Sequence, residues 1–227
     1  QPPVRQPPVQ QPAAAYPPPQ PMAPPAAMPP QPPASPPRVT LDKGRVSLRK
    51  RETVSLVKAG RPLLSRVRMA LGWDPAPGRG NIDLDASCIA FDASRRKLEL
   101  VWFMHKAAYN GAILHSGDNL TGAGEGDDES ISIDLGQLPA EVHAVVFTVN
   151  SFTGQKFTDV ARAYCRLVDE SNQAELVRFD LSESEPRRGV LMCKLVREGE
   201  AWSMTALGEF ADGRTVKKMV DPAAALL

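Results

Sequence analysis

The sequence predicts an all-β domain, a β-sandwich of two antiparallel sheets with one or two short helices, preceded by a disordered proline-rich tail. Three observations predict it. Of 23 prolines, 17 fall within residues 1–37. From Arg45 onward, short segments alternate apolar and polar residues, as in Ile131, Ile133 and Leu135 against Ser130, Ser132 and Asp134. That period of two is the signature of a half-buried strand. No long segment carries a helical period, so roughly ten short strands must bury their apolar sides by packing two sheets together.

The tail, residues 1–38, is expected to be a linker. Before Arg38 its one charged residue is Arg5 and its one aromatic is Tyr16. Such a stretch buries too little apolar surface to offset the entropy of ordering, so it stays extended and solvated. Repeated prolines bias it toward polyproline II, at about 3.1 Å per residue, which makes a semi-rigid spacer. Because the chain opens on Gln1 rather than methionine, it reads as part of something longer, with the tail leading to a domain upstream. The competing reading makes proline stretches such as Pro8 to Pro12 docking sites for a partner.

Residues 39–227 are expected to fold, with strands at 46–48, 53–57, 65–71, 82–91, 97–104, 129–135, 142–149, 163–168, 175–181, 190–196 and 202–207. Turn signals separate them, among them Pro75-Ala76-Pro77-Gly78 and Arg197-Glu198-Gly199-Glu200. Helix is expected only as one turn around 158–162 and as a C-terminal piece around 215–220. Cys88, Cys165 and Cys193 are too few and too widely spaced for a disulfide framework or a zinc site, and read as small buried hydrophobes in a reducing cytoplasm. No apolar run approaches the roughly 20 residues that span a bilayer, and nothing resembles a signal peptide.

Net charge is +1, but its distribution is uneven. Residues 107–155 contain no Lys or Arg and hold Asp118, Glu125, Asp127, Asp128, Glu129, Asp134 and Glu141. A block so acidic excludes nucleic acid as a direct partner, because phosphate binding needs cations. It calls instead for solvent or a bound cation.

Two segments carry the candidate chemistry. In Asn81-Ile82-Asp83-Leu84-Asp85 the carboxylates are two residues apart, which in a strand puts both on one face with Ile82 and Leu84 on the other. In the second, His115 to Glu129, four glycines are interleaved with five acids. Glycine lets the backbone fold back and turn carbonyl oxygens and carboxylates toward a centre. Calcium takes six to eight such oxygens at about 2.3–2.6 Å. An EF-hand is excluded, since Leu120 and Gly122 occupy ligand positions and Ala123 stands where glycine is required. A phosphate-cradling loop is excluded too, for it needs a Lys and a helix N-terminus. The alternative is a solvated acidic hairpin loop. If a cation bridges the two segments, replacing Asp127 and Asp128 by Asn should relieve repulsion and slightly stabilise the metal-free domain.

Gly72-Trp73-Asp74, Ile82 to Cys88, and HSGDNLTGAGEGDDE (115–129) closely resemble the signature blocks of the tellurium-resistance TerD family. FTVNSFTGQKFTDVARAYCRLVD (147–169), Thr205 to Gly208 and Gly213 to Thr215 resemble its TerZ branch. The likeness covers residues 45–220 and leaves the tail outside. It implies a two-sheet β-sandwich that binds calcium (Ca2+) through acidic loops at one edge. It also implies a non-enzymatic role in a bacterial stress response, cytoplasmic or peripheral at the inner face of the membrane, with protein partners in a membrane-associated complex. Position by position, the ligands it implies are Asp83, Asp85, Asp118, Asn119, Asp127, Asp128 and Glu129, with Gly124 and Gly126 through their carbonyls. Asp74 is a weaker candidate, since an Asp before Pro75 also opens a turn.

Catalysis is not expected. His115 and Ser116 are sequence neighbours, poor geometry for a base and its nucleophile, and no nucleophile elbow surrounds Ser116. His105 and His143 lack a partner at ligand spacing. Trp73, Trp102 and Trp202 read as core or rim packing.

Overall fold

The alternating segments do pack their apolar sides together. In the computed structural model, which describes residues 39–79, 82–117 and 126–227, fourteen strands form two seven-stranded sheets among the described residues. In chain order they are β1 (Val39–Thr40), β2 (Val46–Leu48), β3 (Thr53–Ser55), β4 (Arg66–Pro75), β5 (Asp85–Phe91), β6 (Lys97–Val101), β7 (Ala107–Ala108) and β8 (Ile113–His115). Then come β9 (Glu129–Asp134), β10 (Ala144–Asn150), β11 (Val160–Asp169), β12 (Ala174–Leu181), β13 (Gly189–Glu198), β14 (Ala201–Ala211) and a helix, α1 (Val216–Ala225). The first sheet runs β1-β3-β14-β13-β10-β5-β6 and the second β2-β12-β11-β4-β9-β8-β7.

Each sheet is mixed rather than wholly antiparallel, because β1 joins β3 and β2 joins β12 in parallel. These are two- and three-residue edge strands that no hairpin ties to their neighbours, so nothing imposes the antiparallel direction a tight turn would. All other pairs are antiparallel.

The interior lies between the sheets, where Val67, Met69, Leu71 and Trp73 of β4 share one cluster with Cys88, Phe147 and Leu195. The expectation of half-buried strands fails at β5 and β10, which are buried at every position. Helix α1 is the reason. Its Val216, Met219 and Ala223 pack with Ile89, Phe91 and Val146 in a second cluster. A strand covered on both faces needs apolar or hydrogen-bonded residues throughout. Helix α1 also runs further than expected, passing through Pro222. The turn expected at 158–162 is a 3-10 turn at Phe157–Asp159, after which Arg162 already lies in β11. All three cysteines are free and buried. Among the described residues no helix is long and apolar enough to cross a membrane. The tail lies outside the described residues.

Register brings the chemically interesting segments to one end. Glu129 opens β9 opposite Leu71 of β4, Asp74 pairs with Arg162 of β11, and Asp85 opens β5 opposite Asn150 of β10.

Candidate functional site

Glu129 ties the two sheets together at this end. It follows the period of Ile131 and Ile133, so its side chain enters the interior, where the residue is 1% exposed. Its Oε2 accepts the Ala86 N–H of β5 at 2.7 Å, a bond from one sheet to the other. His115 closes the arrangement. Gly117 N–H donates to its Nδ1 at 3.0 Å, so Nε2 carries the proton and donates to the Ala86 carbonyl at 2.9 Å. That same Nε2 stands 3.5 Å from Glu129 Oε2. Ala86 thus has both backbone groups held by side chains of the opposite sheet.

Asp127 and Asp128 face the β4–β11 ladder. Both Asp127 oxygens accept from the Arg166 guanidinium, at 2.8 Å from Nε and 2.7 Å from Nη2. This is the two-pronged geometry that makes such pairs strong. Tyr164 donates its hydroxyl to the Gly126 carbonyl at 2.6 Å and lies 3.2 Å from Asp127 Oδ1. Asp128 Oδ2 accepts the Trp73 N–H at 2.8 Å. Trp73 also donates its indole N–H to the Ile82 carbonyl at 3.0 Å, so one residue holds both acidic segments. Burial pushes the Asp128 carboxyl above the usual carboxylate range. The Trp73 N–H opposes that shift, and the charges of Asp74, Glu129 and Asp127 add to it.

Of the residues expected as ligands, Asp83 stands in the irregular stretch before β5 and Asp85 opens that strand, three residues later than the strand expected from 82, while Ile82 and Leu84 belong to the inter-sheet core. Asp85 is buried, Asp83 half-buried. Asp118, Asn119 and Gly124 lie outside the described residues. Among the described residues no three His, Cys, Asp or Glu side chains gather at metal-holding distance. Asp74 lies within β4 and pairs with Arg162 at 2.7 Å. Sequence reasoning missed Arg166, Tyr164 and His115, the protein's own donors to this acidic end. A signal existed: Arg162, Tyr164 and Arg166 share one face of a strand directly after the block that lacks cations.

The expected relief of repulsion therefore reverses at Asp127. Asp127→Asn should lower metal-free stability by about 1 kcal/mol, the worth of a charge-assisted pair discounted for partial exposure. A thermal melt in EDTA reads this, and an unchanged or higher midpoint would show that Arg166 contributes nothing there.

Fold and site together define a class: a two-sheet β-sandwich with a carboxylate-rich loop end and an internally bonded acidic framework. The TerD domain family model matches residues 45–221, and the chain belongs to that family. Within it the chain is TerZ-like, being 44% identical over 184 residues to the tellurium resistance protein TerZ of Serratia marcescens, across 77% of this chain and 94% of that protein. It is 34% identical to the stress response protein SCP2 of Bacillus subtilis, across 72% and 92% of the two chains. The crystal structure of a homologue of telluride resistance protein TerD from Streptomyces coelicolor A3(2) shares the fold. Its TM-score is 0.59 at 22% identity, covering 69% of this chain and 95% of that one.

Proposed function

We propose that this domain is a non-enzymatic, calcium-binding module of a bacterial stress-response system, acting through calcium-ordered loops that contact a protein partner. The observation that carries the reading is the Asp128 carboxyl, which burial and then the charges of Asp74, Glu129 and Asp127 push above the usual carboxylate range. Hard carboxylate oxygens suit calcium, and a divalent cation would offset those charges. The reading assigns the metal to Asp83, Asp85 and Asp128, with Asp118, Asn119 and Gly124 from the loop. Gly126, Asp127 and Glu129, ligands in the same reading, are held in place by Tyr164, Arg166 and Ala86. When bound, the cation would supply the positive charge that draws loop and strand together. The relatives' names speak of resistance and stress rather than of a reaction, which supports a binding role.

Calorimetric titration of the full chain with calcium and then magnesium tests this. At free calcium about 100 times the dissociation constant, mass action adds about 2.7 kcal/mol, so melts in EDTA and in calcium should differ by several degrees. Asp134→Asn, whose carboxylate holds Arg66 and Gln137, should leave calcium affinity unchanged. The raised pKa of Asp128 fixes the pH dependence. The folded state holds that proton to higher pH than the unfolded chain, so stability from this group is lost as pH rises through the raised value. Calcium must expel the same proton, so affinity weakens as pH falls, and Asp128→Asn flattens that dependence. Identical melts without titration heat would sink the calcium reading.

A second reading makes the domain a structural or scaffolding unit in which calcium is absent or only stabilises the fold. The protein-made bonds to Asp127 and Glu129 favour it, and the same melts decide between the two.

A further inference from the structure

Beside the acidic end, on the first sheet, an apolar tip protrudes from two loops. Met104, in the turn after β6, is 69% exposed, and Phe152, after β10, is 49% exposed. Phe103 links them, edge-on to Phe152 at 6.2 Å between centroids and to Trp102 at 5.1 Å. Large apolar side chains held this far out of a protein are costly in water and mark a contact. Cations flank them. Arg214 donates to the Phe152 carbonyl at 2.9 Å, and Lys217 stands 5.7 Å from the centre of the Trp102 ring. No ion-pair partner stands within reach of these two cations among the described residues, whereas His105 faces Glu99 at 3.7 Å. The recess beneath the tip, between Asp85, Trp102 and Val216, holds only about 10 Å³.

We infer that this tip docks on an anionic lipid surface, with Met104, Phe103 and Phe152 entering the headgroup boundary and Arg214 and Lys217 meeting the headgroups. The charge complementarity selects an anionic partner. The convex shape selects a deformable one, because a protein partner anchors side chains in pockets and the recess here is too small to take one. Apolar side chains inserted below a cationic ring are the general means by which a protein rests on a bilayer without crossing it. The inference goes beyond the calcium reading and does not depend on it.

The test is sedimentation of the full chain with vesicles of phosphatidylcholine alone, or of phosphatidylcholine mixed with phosphatidylglycerol, in EDTA and again in calcium. Binding to the anionic vesicles in EDTA is expected, weakening as salt rises. Met104→Ser/Phe152→Ser should lower the partition by at least roughly tenfold, and Lys217→Glu should lower it too. Leu63→Ser, at an exposed apolar residue preceding the far end of β4, should leave it unchanged. Absence of binding in EDTA, equal binding to both vesicle types, or an unaffected double variant overturns the inference. So does capture by an acidic polypeptide such as polyglutamate with none by vesicles. A calcium titration on the same preparation keeps failure here separate from failure of the calcium reading.

Discussion

Glu129→Ala is expected to lower the stability of the metal-free domain by about 3 kcal/mol. Two losses add up. The Ala86 N–H loses its acceptor inside the protein, a cost of about 1–3 kcal/mol, and the vacated volume adds a cavity cost. For a domain of this size the midpoint should fall by about 6–12 °C. Glu129→Gln keeps an amide oxygen for Ala86 and should recover most of the loss. A melt of the two variants in EDTA separates the roles. If Gln is as damaging as Ala, the charge beside His115 matters more than the bond to Ala86. If neither changes the midpoint, the link between sheets carries no stability.

The second large effect is expected at Gly72. A Cβ there would stand 2.5 Å from Cζ and Oη of Tyr164, well inside contact distance. The ring cannot simply swing away, because Arg178 packs on it with its guanidinium carbon 4.0 Å from the ring centre. Its hydroxyl is also fixed on the Gly126 carbonyl. Overpacking of this kind costs about 1–3 kcal/mol, and losing the hydroxyl's bond adds about 1 kcal/mol. Gly72→Ala should therefore lower the midpoint by several degrees and release Tyr164. The phenol reports the release. Burial first, and then the Asp127 charge, push its pKa up to about 12. Folded chain thus keeps the proton where unfolded chain loses it, and the stability this group contributes is present below pH 10 and lost as pH rises toward 12. In Gly72→Ala the ultraviolet titration of Tyr164 should move back toward 10. In a Tyr164→Leu background the same glycine change should cost much less. An equal cost in both backgrounds would mean that the ring does not rest on Gly72.

The two-sheet fold was legible because alternation is a local property of the chain. Ser130 to Leu135 declares its pattern without reference to anything distant. The same logic hid the double burial of β5 and β10, since the covering helix lies far along the sequence and only the tertiary arrangement brings Val216 over Ile89. The very short strands β7 and β8 escaped for want of length. At the acidic end the sequence showed where charge accumulates but not what answers it. Arg166 lies 39 residues beyond Asp127, and only antiparallel pairing of β11 with β4 returns it there. His115 was read against a catalytic template and set aside, whereas its position follows from β8 pairing with β9. A repulsion argument from sequence counts like charges, and the fold had supplied the cations and N–H donors that the count omitted.

Strands β1 and β2 have a consequence for mechanical load. Within ten residues the chain is stitched first to the edge of one sheet, at β1, and then to the edge of the other, at β2. A pull on Val39 directed away from the domain reaches the two exposed residues of β1 before any core strand. Behind them lies Leu41, 1% exposed, as the next anchor, and then β2 on the opposite sheet. Tension is thus met by a graded series of weak clips, each yielding separately, while the long pairings of β4 with β11 and β13 with β14 stay unloaded until all have given way. Under such a pull the N-terminal segment would lengthen by several residues before the interior opened.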